Sequence, residues 1–301
     1  MQKLLAILAA LIFGLTSGGS PVIAPKPQLI KIIFTGDLSF DRHIRQMANQ
    51  NHGYDFILSP LKDLFNSVDL VVVNLETPIT NNPSVSLGSI PGEPRNFQFT
   101  SPPETAAVLA SYNIKLVNLG NNHTLNFGVK GLEQTYQYLT QAGIDYFDTG
   151  RSVIKTINQL NFGFVNYNQF ANGSLSAALA DLETLRPKVD ILIVFCHWGI
   201  EYQTSAGLEI QTLAHQFIEL GADLVIGTHP HVIQQSEVYQ GKKIYYSLGN
   251  FVFDQYFSQE TSRGMLVEVI IDPENLNSLE TKEFYVQMDL SGQTKLINKN
   301  N

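Results

Sequence analysis

Two stretches decide the fold: Ile191-Leu192-Ile193-Val194-Phe195-Cys196-His197-Trp198-Gly199 and Leu224-Val225-Ile226-Gly227-Thr228-His229-Pro230-His231. Each is a short apolar, strand-like run that ends in histidine. Three further runs behave alike. Ile32-Ile33-Phe34 precedes Gly36-Asp37, Val71-Val72-Val73 precedes Asn74-Leu75-Glu76, and Leu116-Val117 precedes Gly120-Asn121-Asn122-His123. Parallel strands of an α/β protein deliver their C-terminal ends to one edge of the sheet, where ligands bind. Five such ends gather Asp, Glu, Asn and His, a donor set suited to a hard-to-borderline divalent metal.

Outward from these runs, strands alternate with amphipathic helical stretches over residues 29–230, which argues for α/β layering. Helices are expected over residues 102–112, 129–142 and 208–220, the last two stopped by Gly143 and Gly221. After residue 231 the pattern turns β-rich and antiparallel. Strands are expected over residues 234–238, 243–247, 265–271 and 284–288, with a hairpin turn at Gly241. Residues 78–101 hold Pro78, Pro83, Pro91 and Pro94 and read as a long loop, a common form for an active-site lid. No repeat or linker breaks residues 27–301, so they are expected to form one domain.

Of the 301 residues, 44% are hydrophobic and 15% charged, which suits a globular chain with a sizeable core. A net charge of −8 argues against nucleic acid as a partner. The single cysteine, Cys196, excludes an internal disulfide and ends an apolar run, as a buried small hydrophobe would. Residues 1–26 read as an export segment. Lys3 is followed by an apolar run over residues 4–15 and a candidate cleavage site at Val22-Ile23-Ala24. The expected location is therefore extracytoplasmic, periplasmic or at the cell surface, with cleavage of this segment or anchoring by it as alternatives.

The candidate site residues each have a bland reading beside a chemical one. His229 and His231 flank Pro230, which stiffens the turn; they face one metal or two neighbouring ones, or are plain loop histidines. His197 follows apolar residues and needs a partner, because burying an unpaired imidazole is unfavourable. Asp37 and Glu76 are either turn carboxylates or metal ligands, and one carboxylate can bridge two ions. Asn122 is a candidate neutral ligand and His123 a candidate general acid. Trp198, Glu201 and Tyr202 would wall a metal site suited to a sugar, peptide or carboxylate, with core packing as the competing role for Trp198. His43, His52 and His215 lack such context and are expected at the surface or in packing.

Taken in order, these motifs resemble the CapA family of bacterial capsule (poly-γ-glutamate) synthesis proteins. The string Tyr246-Ser247-Leu248-Gly249-Asn250-Phe251-Val252-Phe253-Asp254 adds to the resemblance, which spans roughly residues 29–272. It implies a calcineurin-like metallophosphoesterase fold, a β-sandwich flanked by helices in four αββα layers. It further implies one or two divalent ions (Mn, Fe or Zn), with Asp37, Glu76 and His231 on the first. Glu76 as bridge, Asn122, His197 and His229 would hold the second. His123 would protonate the leaving group or steady charge, and Arg42 and Asn250 would meet substrate.

The chain departs from metallophosphoesterases in two places and from CapA-like chains in a third. Asp37-Leu38-Ser39 replaces Asp-x-His, Glu76 replaces Asp, and Asn126 stands where CapA-like chains commonly have Asp. The first two changes are expected to weaken the first ion site, and the third removes a carboxylate that would orient His123.

Three functions follow as expectations. The first is an envelope metallohydrolase of a phosphoester or amide, acting on an anionic or glutamate-containing polymer or a small peptide or phosphoester. The second is a non-catalytic polymer-binding or export protein within a membrane-associated synthesis complex. The third is a hydrolase of γ-glutamyl or wall-peptide bonds.

Overall fold

In β1 (Ile30–Leu38), Ile30, Ile32 and Phe34 point to one side and Ile33 to the other, the period of two that a strand buried on both faces requires. A computed structural model describes residues 28–90 and 92–299; the expected N-terminal segment falls outside them. No helix among the described residues is long and apolar enough to cross a membrane.

The five motif-bearing strands divide between two sheets instead of sharing one. In the first sheet β1 pairs in parallel with β2 (Leu70–Leu75), β2 with β3 (Ile114–Asn118), and β3 with β4 (Asp145–Phe147). On the other side of β1 the sheet turns antiparallel, through β12 (Arg263–Asp272), β13 (Asn275–Met288) and β14 (Thr294–Ile297). The short β11 (Asn250–Val252) pairs with the C-terminal end of β1.

The second sheet runs β5 (Val153–Ile157), β6 (Leu160–Asn168), β7 (Ile191–His197), β8 (Leu224–Thr228), β10 (Lys242–Tyr245) and β9 (Ser236–Tyr239). Its central pairings from β6 to β10 are parallel. The hairpin expected at Gly241 joins β9 to β10.

Three apolar layers hold the four structural layers together. Between the sheets lie Phe34, Val72, Leu116, Phe164, Ile193, Phe195 and Ile226. Outside the first sheet, Ile33, Val71, Val73 and Val117 pack against α1 (Arg42–Gln50), α2 (Asp55–Leu58), α3 (Lys62–Asn66), α4 (Glu104–Ser111) and α5 (Gly128–Gln141). Outside the second, Leu192, Val194 and Cys196 pack against α6 (Ser174–Leu185) and α7 (Leu208–Glu219). This is the four-layer αββα order the resemblance implied. Face-to-face packing keeps strand directions of the two sheets near one another, so all five C-terminal strand ends reach one rim. Cys196 is buried, as expected, and burial pushes its thiol well up from the ordinary range.

The Pro- and Gly-rich stretch is pinned to the body through a buried carboxylate. Asp41 caps α1 and accepts from Ser84 Oγ at 2.6 Å, Ser86 Oγ at 2.8 Å and the Thr100 amide at 2.8 Å. The stretch thus forms a fixed wall beside the strand ends.

Phe195 is fully buried between the sheets and lies against Phe34 and Phe147. Phe195→Ala should lower unfolding stability by about 3–5 kcal/mol in chemical denaturation, because the two rigid sheets cannot close the cavity.

Candidate metal centre

Close backbone approach brings the motifs together. A Cβ on Gly36 would meet the Gly249 carbonyl oxygen at 1.8 Å, and one on Gly227 would meet the Tyr246 oxygen at 2.0 Å. Only glycine lets β1 approach the β11 segment and β8 approach Tyr246 so closely. His229 and His231 take left-handed backbone angles, φ 97° and 59°. Such angles cost of order 1–3 kcal/mol each and persist where the surroundings hold them, typically at functional sites.

At the centre lies Glu76. It is fully buried, and neither carboxylate oxygen has a hydrogen-bond partner. Its Oε1 faces three imidazoles, with His197 Nε2 at 3.6 Å, His123 Nε2 at 3.8 Å and His231 Nε2 at 3.9 Å. Burial, and then the negative charge of Asp37, push the Glu76 carboxyl well above its ordinary range. Burial pushes Asp37 the same way, but the hydrogen bond and charge of His231 outweigh it and hold this carboxyl at about 2. The two neighbouring carboxyls are thus pushed apart, Glu76 upward and Asp37 downward.

The His197 ring is held from behind at Nδ1, which lies 3.1 Å from Thr228 Oγ1 and 3.2 Å from Asn74 Nδ2. Its Nε2 points the other way, into the centre. It faces Asn122 Oδ1 at 3.0 Å, His229 Nδ1 at 3.2 Å and Glu76 Oε1 at 3.6 Å. Oxygen and nitrogen donors gathered in this way can hold a cation. Their spacing suits one, since ligands of a tetrahedral ion at about 2.0–2.1 Å stand roughly 3.4 Å apart. Burial depresses the imidazoles, with neighbouring imidazoles adding to it: His197 goes well below its ordinary range and His229 to about 4. Both are neutral, as ligands must be.

A second set adjoins the first and shares Glu76. His231 Nδ1 donates to Asn250 Oδ1 at 2.8 Å and also lies 3.2 Å from Asp37 Oδ2, leaving Nε2 free toward Glu76. Asp37, Glu76 and His231 each place a donor atom within 4.8 Å of the others, as do Glu76, His197 and His229. The residues fit the expected ions. The fit is uneven, however. The Asp37 set has three donors, because Ser39, which accepts from Thr77 Oγ1 at 2.6 Å, stands in place of a histidine.

His123 borders both sets. Asn126 Nδ2 lies 3.0 Å from the Phe97 carbonyl and 3.0 Å from His123 Nδ1. His123 Nδ1 therefore accepts, and the proton sits on Nε2, aimed at the centre. Burial, with the charge of His231 adding to it, lowers this imidazole to about 3. His123 is thus suited to steady negative charge as a neutral donor more than to release a proton.

Two expected substrate contacts, Trp198 and Asn250, are corrected. Trp198 is fully buried; its Nε1 donates to the Tyr246 carbonyl at 2.9 Å and its ring stacks on Phe217. It follows His197 on the strand and so points to the opposite face. Asn250 is fully buried behind His231; its Nδ2 donates to Gln255 and to the Thr261 carbonyl. It orients a ligand instead of meeting substrate. Arg42 borders a cavity, but its guanidinium is already paired with Asp254 and donates to Asn96 Oδ1 at 3.1 Å.

Glu201 is exposed at the rim, and its carboxylate groups with His229 and His231 within 4.8 Å. Outside the centre, His215 packs on Tyr239, His43 bonds the Leu290 carbonyl, and His52 is exposed.

Sequence reading missed an amide ladder behind the centre. Asn74 donates to Asp37 Oδ1 at 2.7 Å, Asn118 to Asn74 Oδ1 at 2.9 Å, and Asn166 to Asn118 Oδ1 at 2.9 Å. The last link crosses from β6 to β3 and so ties one sheet to the other. Asn118 and Asn166 sit at or near the ends of apolar strands, and that signal could have found them. Phe170, whose ring lies 4.3 Å from that of His229, had no such signal.

Metal titration followed by calorimetry should show one tight and one weaker binding class. His197→Ala should abolish the tight class and His231→Ala only the weaker. Because the Glu76 carboxyl is held above its ordinary range and must lose its proton to bind an ion, tight binding should weaken as pH falls.

Residues 31–255 match the family described as bacterial capsule synthesis protein PGA_cap. The PGA biosynthesis protein CapA of Bacillus subtilis (strain 168) is 30% identical over 244 residues, covering 74% of this chain and 63% of that protein. The capsule biosynthesis protein CapA of Bacillus anthracis is 27% identical over 265 residues, covering 80% of this chain and 64% of that one. The chain thus spans a little under two thirds of the length of these curated relatives. A solved phosphatase from Mycoplasma pneumoniae aligns with a TM-score of 0.51 at 17% identity, over 86% of this chain and 94% of its own. A hypothetical protein from Thermus thermophilus aligns at 0.53 and 15% identity, over 86% and 99%. At such identity these two matches establish the fold alone, which is the calcineurin-like, metallophosphoesterase type. With its motifs assembled on that fold, the chain belongs to the CapA (PGA_cap) family of bacterial capsule synthesis proteins.

Proposed function

We propose that this CapA-family chain is a metal-dependent hydrolase acting on a phosphoester or amide bond of an extracytoplasmic, glutamate-containing or otherwise anionic polymer. The observation that carries the reading is Glu76. A fully buried carboxylate whose two oxygens have no hydrogen-bond partner among the described residues is costly unless a cation completes it. A divalent ion held there supplies Lewis acidity to an ester or amide oxygen and acidifies water.

The chain's own residues do the rest. Asp37 stays ionised and, through His231 and the His229 amide, fixes the turn that presents both histidines. His123 offers its Nε2 proton to charge developing on the scissile group, a form of stabilisation that needs no prior proton transfer. With ions bound, the centre carries net positive charge. It can therefore draw an anionic group despite the net −8 of the chain.

Membership of a capsule synthesis family, and the CapA relatives' names, support the polymer and its location. A non-catalytic polymer-binding role is favoured by one feature, the loss of a histidine at Ser39, which thins the Asp37 ion set.

The test is turnover of a generic phosphodiester and of a γ-glutamyl amide by protein loaded with Mn, Fe or Zn. Glu76→Gln should remove activity and tight metal binding together. His123→Ala should keep the metal and lower kcat by about 10²–10³-fold, the scale for loss of one charge-stabilising donor. Full metal loading without turnover of either class would leave the binding role.

Asn126→Asp supplies a carboxylate facing His123 Nδ1 and should raise the His123 pKa, read by NMR titration. The native imidazole should stay neutral across about pH 5–8, a range in which an ordinary histidine titrates.

A further inference from the structure

Two cavities adjoin the centre without sharing a lining residue. One, of about 550 Å³, is reached past Tyr202, whose ring lies 6.2 Å from that of His231. The other, of about 430 Å³, is reached past Asn122 and Phe170, which touch the His197–His229 set. The second has a distinct chemistry.

Its apolar surface comes from Leu125, 57% exposed, and Phe170, 46% exposed, with Leu132 and Tyr136 beneath. Its polar groups are amides and hydroxyls. Asn122 leaves its Nδ2 free of the ion set, and the side chain of Asn172 makes no hydrogen bond to any described residue. No lysine or arginine lines it. Arg151 lies behind, stacked over the Tyr136 and Tyr146 rings about 5.1 Å from each. The one lining carboxylate, Asp148, is buried, accepts from the Tyr136 hydroxyl, and is pushed upward by burial.

An anionic polymer segment would find no cation in this wall. A neutral ring with one apolar face and several hydroxyl or acetamido groups would find both surfaces it needs, an exposed aromatic and uncommitted amides. We propose that this cavity is a subsite for an uncharged saccharide unit of the substrate, adjoining the bond held at the ions.

This rests on the hydrolase reading for the ions and adds a constraint to it. The anionic part of the substrate lies on the ions, and the part reaching past Phe170 is neutral. A uniformly charged glutamate chain therefore does not run through this cavity.

The test is calorimetric titration of the metal-loaded protein with triacetylchitotriose, maltotriose and tri-γ-glutamate, with metal content measured on the same samples. At least one neutral trisaccharide should bind saturably. Leu125→Asp and Asn172→Arg, both at exposed positions, should weaken it about tenfold, equivalent to ~1.4 kcal/mol. Asn172→Arg should instead strengthen tri-γ-glutamate. The inference is overturned if neither trisaccharide binds, if binding ignores both substitutions, or if tri-γ-glutamate binds the native cavity more tightly and loses affinity in Leu125→Asp. Intact metal content without saccharide binding sinks only this subsite. Absent metal sinks the hydrolase reading and leaves saccharide binding to be judged by the two variants.

Discussion

A buried carboxylate without a protein partner organises this molecule. Glu76 stands where β2 ends, and its Oε1 is within 3.9 Å of three imidazole nitrogens. Each of those imidazoles is oriented from behind. Thr228 holds His197, Asn250 holds His231, and Asn126 holds His123. All this orientation converges on Glu76 and the ring nitrogens around it. Hydrogen bonding to the far ring nitrogen is how proteins fix ligand tautomers and tune basicity. The second rank of residues is thus as informative as the first.

The arrangement survives because the sheets are locked in register. Within each sheet, alternating apolar residues decide which face is buried, so a slip of one residue would turn every ligand away. Between the sheets, the Asn166–Asn118–Asn74–Asp37 ladder joins the two C-terminal rims through buried amides. A buried network of this kind stabilises only when fully satisfied. The ladder ends on the ionised Asp37, which also accepts from the His229 amide at 3.2 Å. Packing of the sheets and geometry of the ligands are therefore one structure.

Much of this was legible in the sequence, and the reasons are physical. Apolar runs ending in polar motifs mark buried parallel strands, so Asp37, Glu76, His197, His229 and His231 could be placed at strand ends without coordinates. Periodicity says less about partition. It could not show that β1, β2 and β3 belong to one sheet while β7 and β8 belong to another, because a strand buried on both faces reads alike in either. Side-chain direction was also hidden. Trp198 and His197 are neighbours, yet one packs on Phe217 and the other faces Asn122 and Glu76. Asn118 and Asn166 lie at or near the ends of apolar strands, a signal present but not read, whereas the place of Phe170 beside His229 comes from a contact between loops with no local motif. The departure at Ser39 was legible, and the structure gives it a consequence in a three-donor set beside a four-donor one.

The most direct measurement is anomalous X-ray diffraction at the metal edge from crystals grown with Mn or Zn. The account predicts a strong peak bounded by Glu76 Oε1, His197 Nε2, His229 Nδ1 and Asn122 Oδ1, with a weaker one beside Asp37 and His231. No peak at either position, with Glu76 instead protonated and hydrogen-bonded to Asp37, would contradict it.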